Sequence, residues 1–128
     1  MENELEILFP EQVVRIGDQE VTVREFTYLE ALNLGTRALP LLLSMEAAGR
    51  DTPDLLVLDR VLPPHADIWY ELMAVATGRD ADWLKALGNR DGERLMLAFW
   101  AVNQDFFVRR IALLRVTANP MRTDDPSA

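Results

Sequence analysis

The chain has 128 residues, no cysteine, and a formal net charge of -8 from 21 acidic and 13 basic side chains. That length suits one domain with a core that needs no disulfide or metal, and the lack of thiols excludes thiolate chemistry and fits a reducing cytosol. The acidity repels nucleic acid and anionic membrane surfaces at long range.

Residues 1–10 mix acids with Leu5, Ile7, Leu8 and Phe9, which predicts an arm that docks its apolar side chains. An acidic start is the opposite of a secretory signal, which opens basic and turns apolar. The unbroken apolar runs are short: Ala38 to Leu43, six residues including Pro40, and Leu95 to Val102, eight residues. Crossing a bilayer takes roughly 20. A soluble, cytoplasmic protein is expected.

Two short apolar runs, Val13 to Ile16 and Val21 to Arg24, flank Gly17 to Glu20. They predict a β-hairpin around a four-residue turn, with Ile16 opposite Val21 and Val14 opposite Val23. The four branched residues then share one face, while Arg15, Thr22 and Arg24 share the other. A lone hairpin is marginal in water, so that face must lie on helices.

Thr27 and Glu30 have the spacing of a capping box, which starts a helix near Tyr28. Leu29, Ala31, Leu32, Leu34, Leu39, Leu42 and Leu43 supply its apolar positions. Pro40 lacks a backbone donor and clashes with the turn before it, so a kink or break is expected near Leu39, and Gly49 ends the element. Residues 50–54 read as a linker in which Thr52 caps and Pro53 opens a short helix to about Leu62. Pro63 and Pro64 stop it. A helix from about His65 to Thr77 closes at Gly78. Asp80 or Asp82 caps a short helix that ends at Gly88.

Asn89 or Asp91 opens the last and longest element, which ends before Asn119 and Pro120. At about 1.5 Å per residue it spans roughly 40 Å. Met96, Phe99, Trp100, Asn103, Phe107, Ile111 and Leu114 follow one helical face, and Leu95, Val102, Phe106, Leu113 and Val116 widen the apolar arc. A helix that is apolar around most of its girth must be covered on several sides, by its own domain or by another chain. The expected fold is mainly α (α+β): a hairpin at about 12–25, then about five helices around a long C-terminal helix. Residues 1–118 form the single domain and 119–128 a flexible tail.

No constellation for catalysis, cofactor or metal emerges. His65 is the sole histidine, so no histidine pair exists for zinc, and no serine or carboxylate partner can be placed beside it. It is expected exposed at a helix start. Asp80, Asp82, Asp91 and Glu93 lack the spacing and central glycine of a calcium loop, and helix capping explains them. The stretch Gly88 to Gly92 lacks the lysine and hydroxyl of a phosphate loop, so it reads as a turn between helices. Arg109, Arg110 and Arg115 stand among Phe106, Phe107 and Ile111. Arginine stems covering apolar surface and a protein interface both fit that grouping.

Three segments carry a resemblance: Val21 to Leu32; Trp69 to Arg79; and Asp82 to Leu84 leading into Asp91 to Arg110. In element order and apolar pattern the chain resembles the tail assembly chaperones of long-tailed bacteriophages, especially Mu-like siphophages. The resemblance implies a small, acidic, mainly helical, non-enzymatic protein of the host cytoplasm that is absent from the finished virion. It implies binding to the tape measure protein, recruitment of tail tube protein around it, and a short form beside a frameshifted longer one. A homo-oligomer is compatible. The family pattern fixes no binding residues. From local chemistry, the candidates for partner binding are Trp100, Phe106, Phe107, Arg110 and Ile111. The alternatives are a structural tail completion or head-tail joining protein, and a small regulator that inhibits a host protein.

Overall fold

The computed structural model describes residues 11–48 and 55–118. The expectations for the arm at 1–10, the helix end at Gly49, the linker with Thr52 and Pro53, and the tail at 119–128 lie outside the described residues. The described order is β1 (Glu11–Ile16), β2 (Gln19–Arg24), α1 (Tyr28–Arg37), α2 (Leu39–Ala47), α3 (Leu55–Val61), a 3₁₀ turn (Pro63–His65), α4 (Ala66–Thr77), α5 (Ala81–Lys85) and α6 (Asn89–Ala118). This is the expected mainly α architecture with a hairpin at its start. No described helix is long and apolar enough to cross a membrane.

The hairpin pairs two residues away from the expected register. Val14 stands opposite Val21, and Ile16 opposite Gln19, so the loop holds two residues rather than four. The cause is Gly17. It takes φ +63° at the first loop position while Asp18 keeps an ordinary φ. That is the pattern of a type II′ turn, whose twist matches that of the strands. A shift of two leaves each side chain on its original face. Val14, Ile16, Val21 and Val23 are therefore all buried together, as their alternation predicts. Each contributes on the order of 1.5–3 kcal/mol, which a lone hairpin lacks.

The capping box forms. Thr27 accepts from the Glu30 N–H at 3.1 Å, and Glu30 accepts from the Thr27 N–H at 2.9 Å. Helix α1 stops at Arg37 and α2 restarts at Leu39 with Pro40 in its first turn, so the expected break is real. Gly78 closes α4 with φ 71°. Asp80 occupies the N-cap position of α5, but its side chain makes no capping bond. The expected end at Gly88 comes earlier, since α5 stops at Lys85 with Ala86 as its C-cap.

Helix α6 packs against both strands, α2 and α4, so it is the spine of the domain. Leu95, Phe99, Phe107 and Ile111 are at most 1% exposed. Phe99 and Phe107 stand edge to face at 6.1 Å, and Trp69 of α4 meets Phe99 at 5.1 Å. Such pairs add about 0.5–1.5 kcal/mol to the burial of their area.

Asn103 is the one buried polar side chain among the described residues, at 1% exposure. Its oxygen accepts from the Phe26 N–H and its nitrogen donates to the Arg24 carbonyl, both at 3.0 Å. These bonds fasten the β2–α1 connection to the spine. Arg24 continues the tie: its guanidinium grips Glu30 through two 2.8 Å bonds and donates to the Val75 carbonyl of α4 at 3.1 Å.

Candidate functional site

The apolar arc of α6 is not covered along its whole length. Phe99, Trp100, Val102, Phe107 and Ile111 are buried, whereas Leu113 and Val116 are more than half exposed. Facing this C-terminal half, α1 and the start of α2 leave Tyr28, Leu29, Leu32 and Leu39 at the surface; Leu34 is the one buried residue of α1. Between them run two open clefts. One, of about 440 Å³, is lined by Phe26, Tyr28, Ala31, Asn103, Phe106 and Arg110 among others. The other, of about 350 Å³, is lined by Leu32, Gly35, Leu39, Leu42, Arg110 and Leu114 among others. Arg110 and Leu113 belong to both, which joins the clefts into one groove along α1 and α6.

Arg110 divides the groove. Its guanidinium donates to the Ala31 carbonyl at 3.0 Å and lies 5.4 Å from the centre of the Phe106 ring. Gly35 makes this possible, because a Cβ there would stand 2.9 Å from Arg110 Nε. The aliphatic stem covers apolar surface while the head is held by α1. Arg109, next to it, points outward and pairs with Asp105 at 2.8 Å. Arg115 meets Glu46 at 3.6 Å.

The five candidate partner residues therefore separate. Trp100, Phe107 and Ile111 belong to the hydrophobic core, at 8%, 0% and 1% exposure. They offer almost no surface to a partner. Phe106 and Arg110 are half-buried and line the groove. Tyr28, Leu32 and Leu39 line it too, although their spacing reads as ordinary apolar helix positions. Pro40 was the available signal: by ending α1 it re-aims the following turn, so a single face no longer runs through both helices.

Outside the groove, His65 departs from expectation. It is half-buried, and its Nε2 lies 2.9 Å from Ser44 Oγ of α2. Sequence separation hid this partner. Among the described residues no third group orients the imidazole, and neither residue lines a cleft described here. The bond ties the 3₁₀ turn to α2. No group of three or more acidic or histidine side chains among the described residues could hold a metal ion. Asp91 pairs with Arg94 at 3.5 Å.

Glu30 has the one strongly displaced acidity among the described carboxylates. The Arg24 hydrogen bonds, helped by the Thr27 N–H, lower its pKa from 4.5 to about 2. The raised pKa of Arg24 comes from the same contact. This pair supports the helix start.

Hairpin, broken helix pair and spine thus define a small, mainly α protein with an apolar groove. The chain belongs to a family of unknown function, DUF6631, whose model matches residues 4–125. No curated protein and no solved structure matches it.

Proposed function

We propose that the chain is a phage tail assembly chaperone, which binds the tape measure protein, keeps it from aggregating and assists assembly of the tail tube. The observation that carries this reading is the groove between α1 and the C-terminal half of α6, where Tyr28, Leu32, Leu39 and half-buried Phe106 face outward. A long apolar helix needs temporary cover, and an apolar groove of this kind receives one face of such a helix. The net charge of -8 keeps a complex with an aggregation-prone partner in solution.

In this reading the protein acts by binding, not catalysis, in the host cytoplasm, and leaves before the virion is complete. Phe106 and Arg110 are contact residues, with Tyr28, Leu32 and Leu39 beside them. Trp100, Phe107 and Ile111 support the groove from beneath. The test is co-expression with the tape measure protein of the same phage, followed by pull-down. A soluble complex that forms only in the presence of this chain supports the proposal; an insoluble tape measure protein with no co-purification rejects it. Detection of the chain in purified particles would instead favour a structural tail component.

A further inference from the structure

A third cleft, of about 390 Å³, opens at the N-terminal end of α6, where that helix meets α4, α5 and the end of α3. Its floor is apolar. Trp69, Met73 and Leu84 are at most 5% exposed, and Met96 and Leu87 form half-buried walls. Methionine re-packs readily around different side chains and suits a surface that receives one.

The charges on the rim have one sign. Asp59 and Glu93 are the charged residues that line the cleft; both are exposed, and neither forms a salt bridge among the described residues. Four basic residues stand near the cleft without lining it: Lys85 lies 3.5 Å from Asp67 and 5.9 Å from the centre of the Tyr70 ring, Arg94 lies 3.5 Å from Asp91, and exposed Arg60 and Arg90 stand close to Asp59 and Glu93 along the chain. The groove of the proposed function differs, because Arg110 stands within it.

We propose that this cleft docks a short amphipathic helix bearing lysine or arginine beside its apolar stripe. Apolar anchors one turn apart enter over Trp69, Met73 and Met96, while flanking cations reach Asp59 and Glu93. The carboxylates select a basic partner and reject an acidic one. This second surface does not depend on tape measure binding.

The test uses the full chain and two labelled peptides of about 14 residues, or about four helical turns. One has a leucine stripe flanked by lysines; in the other glutamates replace the lysines. Fluorescence anisotropy should show saturable binding of the lysine peptide alone. Asp59→Lys with Glu93→Lys should weaken it about tenfold or more at low salt, where rim charges are least screened, and should admit the glutamate peptide. Glu11→Lys with Asp18→Lys alters net charge equally, away from the cleft, and should change affinity less than about twofold.

Three results overturn the proposal: no binding of the lysine peptide, equal weakening by both double variants, or binding that the cleft variant leaves unmoved. The second would mean attraction to overall charge, and the third would mean docking elsewhere.

Discussion

Gly35 of α1 lies against the guanidinium of Arg110 on α6, so close that a Cβ at position 35 would come within 2.9 Å of Nε. The contact lets Arg110 reach the Ala31 carbonyl. Gly35→Ala sets two effects of about equal size against each other. Alanine raises helix propensity by up to about 1 kcal/mol, and the displaced arginine gives up a hydrogen bond of about the same worth. Thermal unfolding should therefore move by less than about 1 kcal/mol, while the Arg110 Nη2–H loses protection in side-chain NMR. A loss above about 2 kcal/mol would mean the guanidinium cannot yield.

Asn103 is more costly to alter. Alanine there would strand the Phe26 N–H and the Arg24 carbonyl, two polar groups that Asn103 alone satisfies through its side chain. Leaving buried polar groups without partners costs about 1–3 kcal/mol each. Urea unfolding of Asn103→Ala should show a loss of about 2–4 kcal/mol. Aspartate should not rescue it, because it supplies the acceptor but not the donor and brings a charge into the core.

Much of this was legible in the sequence. Thr27 and Glu30 announce their helix because a capping box is local chemistry, and Pro40 announces the break for the same reason. The buried face of the hairpin was legible from alternation, but its register was not. A shift of two preserves the faces, so only the turn preference of Gly17 could separate the two pairings. The site was less legible. Phe106 and Phe107 are neighbours of the same chemistry, and about 100° of helical rotation puts one on the groove wall and the other in the core. Which side of a wide apolar arc stays open depends on where α1 and α2 lie. That is a tertiary fact.

Those neighbouring phenylalanines give a direct contrast. Phe107 is fully buried and meets the rings of Phe99, Trp100 and Phe106. Phe107→Ala should cost about 3–5 kcal/mol by calorimetry or denaturant unfolding. Phe106 contacts Phe26 at 5.1 Å but is only half-buried. Its alanine variant should lose about half as much and stay folded.

The Arg24–Glu30 pair sets a pH dependence. Glu30 has a pKa of about 2 in the folded chain against 4.5 ordinarily, so the folded state holds its proton less tightly than the unfolded state. Its contribution is therefore fully present above pH 4.5 and fades as pH falls towards 2. The side chains are 41% and 30% exposed, so solvent screening reduces this to about 1 kcal/mol. Glu30→Gln should lower stability at pH 7 and flatten the acid limb between pH 4.5 and 2. Equal acid slopes for both proteins would refute the assignment.

The central claim is that the groove between α1 and α6 covers a tape measure helix. Leu32 and Leu39 line that groove at 44% and 40% exposure, so replacing both with glutamate removes apolar contact without opening the core. The decisive measurement is co-purification of the tape measure protein with the original chain and with Leu32→Glu/Leu39→Glu, beside the melting curve of each. The prediction is a soluble complex with the original chain and its loss with the double variant, at an unfolding temperature within a few degrees of the original. Undiminished co-purification with the folded double variant would contradict the claim, as would failure of the original chain to hold the tape measure protein in solution.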